Sequence, residues 1–484
     1  MKILWLCMIV LTSGGAFASP DSLRPFPVAD GRALRNGVCL ADGVAYLAGE
    51  FKTVGGQSHN RVVAIDLNSG AVLPWDPDVK EGVVACVVAI GDKIYLGGTF
   101  KSVGGQPRRY LAAVYAAKGA GRNSGLIAEW NPGPDGLVDA MSVGPKGTLY
   151  IAGTFKHLGD LSRLRLAQVA DADHGRGEAT AFDPQPDARV NSVVWDGAFP
   201  GQVLATGFFS HCGGQERGLV ALLSSASGAA LDKQVVVDGT ANKEVLRSIF
   251  YRGVYYSVGV EINTVNGSAH SNAFALDAAS LTLKPWRADL SAGAGALSAQ
   301  GENIYVGGDF LKANGQPRRV AAFDRQSGEL SSWDPEPDNN TYALLAWPKG
   351  VVLSGYFHHL AGQDAPFLGE LGLAGSKGVE RESAIEEAGK QLLGGKTLLA
   401  YPNPARDRAT AVFRVTKPGR GRLILADLSG RTVKTQDLGE MASGVKSVEM
   451  GIEEMASGVY LLALQIDPGF GPETVAKFKL AIRK

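Results

Sequence analysis

The stretch YLGGTFKSVGGQPRR at residues 95–109 returns later in the chain as YVGGDFLKANGQPRR at residues 305–319. Both copies start with an apolar run, pass through paired glycines to a phenylalanine, and end in a Gly-Gln-Pro turn followed by two arginines. Agreement at so many positions indicates an internal repeat. Glycine permits the positive φ angles of tight turns and proline interrupts a β-ladder, so each copy predicts a strand followed by a turn.

Weaker copies of the motif occur along residues 19–373. Each has a glycine at the end of an apolar run, and these seven anchor glycines are Gly49, Gly98, Gly153, Gly207, Gly259, Gly308 and Gly355. They lie 47 to 55 residues apart, which is close to the spacing of kelch-type blades with four strands each. We therefore predict an all-β fold in which residues 19–373 form a seven-bladed β-propeller.

Most units close with an aromatic residue, an Asp or Asn, and a proline, as at residues 75–77, 130–132, 182–184 and 333–335. The aromatic ring is expected to fill the space between neighbouring blades, and the proline ends the ladder. The seventh unit lacks this signature, whereas residues 26–31 resemble it. We therefore predict that the N-terminal segment supplies a strand to the last blade and removes an exposed sheet edge.

The N-terminus also carries an export signal. Lys2 precedes a short apolar run and the Ala16-Phe17-Ala18 pattern, which is typical of a signal peptide over residues 1–18. Cys39, Cys86 and Cys212 are too few for a disulfide scaffold, although a Cys39–Cys86 bridge stays open. Lys plus Arg and Asp plus Glu number 48 each, so no global charge recruits nucleic acid. No later segment is apolar enough to predict a transmembrane helix.

Residues 374–395 break the repeat period and are interpreted as a linker. Residues 396–484 then show short strands separated by turns, which indicates a small β-sandwich. The strands that we predict there span residues 409–415, 421–427, 445–452, 458–466 and 475–482.

Two resemblances follow from these motifs. The repeats resemble the delta-sixty-type (kelch-like) propeller repeats of secreted bacterial proteins, which implies a fold but no reaction. Residues 396–484 resemble the immunoglobulin-like C-terminal sorting domain of type IX secretion cargo. The residues that carry this second resemblance are Tyr401, Pro402, Asn403, Pro404, Gly458, Val459, Tyr460, Lys477 and Lys479. It implies passage through the periplasm to the outer cell surface or the extracellular space, with the type IX machinery as partner. A carbohydrate-binding or fibronectin-like sandwich is the alternative.

Three sets of residues are candidates for chemistry. His157, His211 and His359 share one repeat position and predict a metal site. A second set follows the Gly-Gln turns and predicts binding of an anionic glycan, with salt bridges to the Asp-rich turns as the alternative; it comprises Arg108, Arg109, Arg217, Arg318 and Arg319. Acidic turns, such as the one with Asp76 and Asp78, are candidates for calcium binding, although their spacing does not match an EF-hand.

The sequence contains none of the common catalytic signatures that we sought, so no catalytic residue is assigned and enzymatic activity stays open. The leading hypothesis is a secreted or cell-surface binding module for a polysaccharide or a protein. The alternatives are an extracellular carbohydrate-active enzyme, whose carboxylates would come from distant blades, and a structural envelope protein. No cofactor is predicted.

Overall fold

The computed structural model describes residues 23–118, 121–171, 175–373, 398–401, 408–415, 419–427, 430–441, 444–452, 454–467 and 473–482. The predicted signal peptide, the predicted linker, and Pro402, Asn403 and Pro404 lie outside these residues. The chain divides into two compact units, Met1–Ala374 and Gly375–Lys484. Both are all-β, and the helices in the described residues are the short 3-10 turns Gly121–Asn123 and Pro145–Gly147.

The described residues of the first unit repeat one antiparallel sheet seven times, and we number these sheets 1 to 7 in chain order. Their first strands are Ala33–Ala41, Val84–Ile90, Val138–Val143, Val190–Val194, Val237–Tyr251, Ala294–Gln300 and Thr341–Trp347. Their second strands are Val44–Gly49, Lys93–Gly98, Leu149–Gly153, Gln202–Gly207, Val254–Val265, Asn303–Gly308 and Gly350–Gly355. Their third strands are Val62–Asp66, Leu111–Tyr115, Leu166–Val169, Val220–Ser224, Ala273–Asp277, Val320–Asp324 and Leu368–Gly372.

A small hairpin leaves each sheet between its second and third strands, at the position of the Gly-Gln turn of the repeat, which reads Gly-Asp in sheet 3 and Gly-Ser in sheet 5. In sheets 1 to 4, 6 and 7 the hairpin strands are Thr53–Val54 with Gln57–Ser58, Ser102–Val103 with Gln106–Pro107, His157–Leu158 with Leu161–Ser162, His211–Cys212 with Gln215–Glu216, Lys312–Ala313 with Gln316–Pro317, and His359–Leu360 with Gln363–Asp364. In sheet 5, Ser268–Ala269 pairs with the end of the long second strand, and in sheet 2 Val79–Lys80 adds a strand to the hairpin.

A fourth position completes each sheet at its outer edge. In sheets 1 to 6 it is a single residue that forms an isolated β-bridge to the third strand. These residues are Val72, Ile127, Ala179, Ala230, Leu283 and Leu330. In sheet 7 it is the N-terminal strand Leu23–Arg24, which pairs with Glu370 and Leu371. The N-terminus therefore does supply a strand to the last sheet, but the paired residues are not those at 26–31. Those residues replace the closing signature instead, because Ala29 bridges to Val54 in the hairpin of sheet 1.

The sheets follow one another in a closed order. Their first strands are neighbours in chain order, and the first strand of sheet 7 lies beside that of sheet 1. A separate hydrophobic cluster fills each space between neighbouring sheets. Between sheets 7 and 1, Leu47 and Val54 share a cluster with Leu345 and Trp347. Second strands such as Lys93–Gly98 are buried along their whole length, which explains their continuous apolar pattern.

The closing aromatic residues join neighbouring sheets. Trp75 packs edge-on against Tyr46 of its own sheet, with ring centroids 5.1 Å apart. Its Nε1–H donates to the carbonyl oxygen of Tyr115 in the next sheet at 2.7 Å. Trp130 repeats the arrangement with an Nε1 bond of 2.7 Å to the Ala170 carbonyl oxygen. The recurring aromatic residue is therefore explained by packing, to which Trp75 and Trp130 add one partly buried hydrogen bond each; Trp333 packs in the same way, but its Nε1 has no hydrogen-bond partner among the described residues.

The three cysteines in the described residues of the first unit are unbridged, so the Cys39–Cys86 bridge that the sequence left open is not formed. Cys86 and Cys212 are buried between sheets. Burial raises the pKa of the Cys212 thiol to about 12. The thiol is therefore protonated at neutral pH and packs as a small apolar side chain.

The second unit contains two antiparallel sheets with a shared core. One sheet comprises Leu398–Tyr401, Arg408–Val415 and Gly444–Gly451. The other comprises Thr432–Met441, Gly419–Ala426, Gly458–Asp467 and Glu473–Ile482. Phe413 of the first sheet and Leu423, Leu464 and Leu480 of the second belong to one buried cluster. The sequence prediction omitted Leu398–Tyr401 and Thr432–Met441; the latter is an edge strand with few apolar residues, so its pattern is weak.

Candidate binding site

Polar side chains cross the inside of the closed order of sheets. Asn36 of sheet 1 donates from Nδ2 to the carbonyl oxygen of Asp139 in sheet 3 at 2.8 Å. The same group donates to the carbonyl oxygen of Asn191 in sheet 4 at 3.2 Å. Sheets 3 and 4 are not neighbours of sheet 1, so these bonds span the interior where the first strands face one another. Asn36 and Asn191 are both buried.

Arg247 of sheet 5 joins the same interior. Its Nη1 donates to the carbonyl oxygen of Arg35 at 2.7 Å and to Oδ1 of Asn36, and its Nε donates to the carbonyl oxygen of Leu297 at 3.3 Å. Burial, together with the positive charge of Arg35, lowers the pKa of Arg247 to about 10. Arg247 is therefore still charged at neutral pH, and it connects sheets 1, 5 and 6.

Two carboxylates complete this interior and both have partners. Asp139 forms an ion pair with Arg189. Glu244 accepts a hydrogen bond from Asn191 Nδ2 at 2.6 Å, and the same amide donates to the carbonyl oxygen of Val245 at 3.0 Å. We define the axial cluster as Arg35, Asn36, Asp139, Arg189, Asn191, Glu244 and Arg247.

Arg35 differs from the rest of the axial cluster. Its guanidinium extends from sheet 1 to sheet 6, where a Cβ built on Gly295 would lie 3.5 Å from Arg35 Nε. Burial lowers the pKa of Arg35, and the nearby Asp139 carboxylate opposes that shift. Across the described ranges, its guanidinium has neither a hydrogen-bond partner nor an ion-pair partner. The side chain is half-buried, so its donors remain within reach of solvent.

A rim of side chains surrounds the axial cluster at one end of the sheets. The start of each first strand and the end of each second strand lie at this end, because Ala33 pairs with Gly49 and Thr341 pairs with Gly355. The rim therefore contains the residues just outside these pairs. Among them are Arg32, Glu50, Arg189, Phe208, Asp309, Asn340 and Tyr356, with Tyr342 packed behind them.

The rim is built around stacked aromatic and charged groups at sheets 7 and 1. The guanidinium carbon of Arg32 lies 4.6 Å from the ring centroids of both Tyr342 and Tyr356. Tyr342 Oη donates to Asp309 Oδ1 at 2.6 Å, and Asn340 Nδ2 donates to the same oxygen at 2.7 Å. Tyr356 also packs against Tyr342, with ring centroids 5.6 Å apart, and it remains 43% exposed. The cation–π contacts with Arg32 stabilise this stacked group.

The three predicted metal ligands lie at equivalent positions in the hairpins of sheets 3, 4 and 7. Each histidine contacts its own aspartate: His157 Nδ1 is 2.8 Å from Asp135 Oδ2, His211 Nδ1 is 3.3 Å from Asp187 Oδ2, and His359 Nδ1 is 2.8 Å from Asp338 Oδ2. Within the part of the chain that the structure describes, no group of three or more His, Cys, Asp or Glu side chains could hold a metal ion. The metal site therefore stays a prediction without a grouped ligand set.

The predicted arginines bond within their own repeat or, for Arg319, to the start of the next one. Arg108, Arg217 and Arg318 each donate from Nη1 to the carbonyl oxygen of the preceding residue. Arg318 also pairs with Asp334 at 2.9 Å, and Arg319 donates to Asn340 Oδ1 at 3.4 Å. Arg109 lies near the Glu81 carboxylate and helps to lower its pKa, after the larger effect of Lys101. The salt-bridge alternative thus holds for Arg318, while glycan binding by this set stays a prediction.

Arg108 also lines a cavity of about 490 Å³, together with Gln106, Glu129, Asn131 and Arg176. The acidic turns, by contrast, are engaged locally, since Asp76 Oδ1 accepts the backbone N–H of Asp78 at 2.9 Å. Asparagine and aspartate commonly stabilise turns in this way.

The sequence analysis did not identify the axial cluster or the rim. A signal for the rim was present, because the position after each anchor glycine carries Glu50, Thr99, Thr154, Phe208, Val260, Asp309 and Tyr356. Large aromatic residues at an exposed position that elsewhere holds small or polar residues are a departure from the repeat. Nothing in the repeat pattern distinguished Arg35 or Arg247, because only the closed arrangement brings distant first strands together.

Among the predicted sorting residues that the structure describes, Tyr401 ends the strand Leu398–Tyr401. The others, Gly458, Val459, Tyr460, Lys477 and Lys479, lie on the strands Gly458–Asp467 and Glu473–Ile482. Val459 pairs with Ala481 and Tyr460 with Leu480, and Tyr460 Oη donates to the Ala456 carbonyl oxygen at 2.9 Å. Lys477 and Lys479 are exposed on the strand Glu473–Ile482, which forms an edge of its described sheet. The motif therefore combines strand pairing at exposed or half-buried positions with a basic exposed edge.

Residues 399–471 match the family of secretion system C-terminal sorting domains. The chain thus ends in a type IX sorting domain, and the protein is exported to the cell surface or the extracellular space. This domain implies that the secretion machinery is a partner. In the described residues, no helix is both long and apolar enough to span a membrane.

Several solved structures are similar to the chain. PorZ, described as an essential surface component of the type IX secretion system of Porphyromonas gingivalis, is 13% identical with a TM-score of 0.36; the match covers 92% of this chain and 59% of PorZ. The computationally designed protein Ika8 is 11% identical with a TM-score of 0.41, and the match covers 71% and 98% of the two chains. The extracellular domain of BT4673 from B. thetaiotaomicron is 9% identical with a TM-score of 0.41, covering 96% and 59%. Comparison with curated proteins finds no match.

Proposed function

We propose that the first unit is a seven-bladed β-propeller with kelch-like repeats. We further propose that, once exported to the cell surface, it is a binding module for polysaccharide. Seven repeated sheets, a cluster between each pair of neighbours and a last sheet completed by the N-terminus support the propeller. The two-sheet second unit, with its shared core, supports an immunoglobulin-like sandwich. Its role is to address the first unit to the type IX pathway.

The observation that carries the binding role is the rim around the axial cluster. Tyr356 and Phe208, which are 43% and 47% exposed, occupy the same repeat position in sheets 7 and 4. Arg32 lies over the Tyr356 ring, and Asp309 and Asn340, which bond to each other, belong to the same rim. Aromatic faces with a few fixed polar groups are typical of small-ligand and sugar sites.

A polysaccharide is favoured over a protein partner because charged and polar groups separate the exposed aromatic rings. A protein docking surface of stable affinity has a largely uncharged core within a patch of several hundred square ångströms. The rim instead offers separate stacking positions, and a flexible sugar chain can use such positions one residue at a time.

The proposal is tested by applying residues 19–484 to arrayed glycans and cell-envelope polymers, scoring both retention and released fragments. We expect retention without fragments, and we expect Tyr356→Ala and Phe208→Ala to reduce it at least about fivefold through loss of stacking. Leu126→Ala is the matched control, because Leu126 is an exposed apolar residue at the outer edge of sheet 2. Arg108→Gln tests the alternative cavity. Released fragments would indicate an enzyme instead. Binding to proteins of the cell envelope, without binding to any glycan, would indicate a protein partner.

A further inference from the structure

The axial cluster contains more positive than negative charge. It has three guanidinium groups, on Arg35, Arg189 and Arg247, and two carboxylates, on Asp139 and Glu244. Arg189 is paired with Asp139. Arg247 donates to two carbonyl oxygens and one amide oxygen, none of which carries a formal charge. Within the described chain, Arg35 is therefore the guanidinium of this cluster whose donors meet no acceptor.

The Asp139 and Glu244 carboxylates favour the charge of Arg35 without bonding to it, and its half-buried side chain keeps its donors within reach of solvent. A charged donor without a bonded acceptor can form a strong hydrogen bond to an anionic ligand group. Asn36 and Arg247 are committed to bonds that hold the first strands together. The donors of Arg35 remain open near these groups, on the inside of the rim.

We propose that Arg35 receives an anionic group, a carboxylate or a sulfate, of an acidic polysaccharide that the rim holds. This inference rests on the proposed binding function and specifies the class of its ligand. The planar guanidinium presents parallel N–H donors that match the two oxygens of a carboxylate or sulfate. The sugar ring that bears this group then stacks at Tyr356, next to Arg32.

The positions of Arg32 and Arg35 in the chain support a link between the rim and the axial cluster. Arg32 and Arg35 flank the start of the first strand of sheet 1, and they are close enough for the charge of Arg32 to affect Arg35. Arg35 lies next to Gly295 of sheet 6, since a Cβ there would be 3.5 Å from Nε and 3.7 Å from Cζ. Arg35 is half-buried whereas Asn36 and Asn191 are buried, so a ligand group that reaches past the rim meets Arg35 before it meets those amides.

The test measures binding of residues 19–484 to polygalacturonate, dextran sulfate and neutral dextran by affinity electrophoresis and calorimetry, at low and high salt. We expect the wild type to bind at least one acidic polymer more tightly than dextran, with weaker binding at high salt. Arg35→Gln should weaken that binding at least about tenfold, as for a lost charge-assisted hydrogen bond. Arg287→Gln removes the same charge from an exposed site beside Asp289 and should change binding less than about twofold.

A stability measurement separates ligand binding from a structural role. Because no described residue bonds to the Arg35 guanidinium, Arg35→Gln should melt at the same temperature as the wild type or higher, whereas a structural residue would lower it. Loss of polygalacturonate binding alone assigns a carboxylate, and loss of dextran sulfate binding alone assigns a sulfate. Unchanged acidic binding in Arg35→Gln, or preference of the wild type for dextran, overturns this inference while the Tyr356 effect still supports the binding function. Failure of the wild type to bind any glycan overturns both.

Discussion

Arg24 Nη1 lies 2.7 Å from Glu370 Oε1, and this ion pair joins the N-terminal strand to the last strand of sheet 7. Glu370 is buried and also accepts a hydrogen bond from Trp347 Nε1 at 2.8 Å. Burial raises the pKa of Glu370, and the charge of Arg24 opposes this shift. A residue near the start of the chain thus compensates a buried carboxylate almost 350 positions later.

The first prediction concerns this pair. Arg24→Gln should lower the free energy of unfolding by about 2 kcal/mol at pH 7, because it leaves Glu370 buried without its cation. A raised carboxyl pKa favours the folded state at low pH, and that contribution disappears as pH rises through the folded pKa. The loss should therefore be smaller near pH 4.5. Urea denaturation at both pH values measures it.

Two variants serve as controls for that experiment. Arg24→Gln with Glu370→Gln should recover part of the stability, because the uncompensated charge is gone. Arg252→Gln breaks the exposed Arg252–Glu302 pair and should cost less than about 1 kcal/mol. An equal loss in Arg24→Gln and Arg252→Gln would contradict a special role for the N-terminal strand.

The second prediction concerns the closing tryptophans. Trp130→Phe keeps most of the ring but removes the Nε1–H that donates to the Ala170 carbonyl oxygen. It should destabilise the first unit by about 1 kcal/mol, because a partly buried carbonyl oxygen is left without its donor. Trp195→Phe is the control, since its Nε1 bond to the Pro200 carbonyl oxygen is exposed. Equal melting temperatures of the two variants would argue against the bond between sheets.

The third prediction concerns pH and two buried histidines. Burial lowers the pKa of His59 and of His270, so the folded state takes up fewer protons than the unfolded state. A lowered histidine pKa gives stability that is present above about pH 6.5 and is lost as pH falls. The free energy of unfolding should drop between pH 7 and pH 5. In a His59→Gln, His270→Gln variant this drop should be smaller, and an unchanged drop would exclude these residues as its origin.

The fourth prediction concerns the carboxylates that hold the hairpins. Burial of Asp187 favours its neutral form, but hydrogen bonds from Ser210 and His211 outweigh burial and lower its pKa to about 2. Its contribution to stability should therefore be lost as pH falls from about 4 to about 2. Asp187→Ala should speed hydrogen exchange at the Ser210 and His211 amides. Exchange in the equivalent hairpin held by Asp338 is the internal control and should stay unchanged.

The fifth prediction concerns export. A chain that ends at residue 374 lacks the sorting domain and should accumulate, folded, in the periplasm of a host with a type IX system. Cell fractionation with protease protection measures this, and the full chain, which reaches the surface or the medium, is the control. Surface exposure of the truncated chain would show that the first unit carries its own export signal.

Much of the fold could be predicted because the repeat encodes it locally. The anchor glycines, the closing aromatics and the apolar runs each specify a strand, a turn or a contact within about 50 residues, and all of them appear in the described sheets. The N-terminal strand was expected for the same reason, although its residues were placed three positions too late. Weak edge strands such as Thr432–Met441 escaped prediction because an exposed strand needs little apolar patterning.

The sequence by itself determined the repeated all-β units and the sorting domain, because periodic burial and turn residues act between near neighbours in the chain. Only the tertiary structure decided which polar residues meet. Asn36, Asn191 and Arg247 come from sheets that are not all adjacent, and their contacts exist only because the order of sheets closes. Whether the Arg35 guanidinium has a bonding partner likewise depends on residues of other sheets, so the local sequence pattern does not predict it.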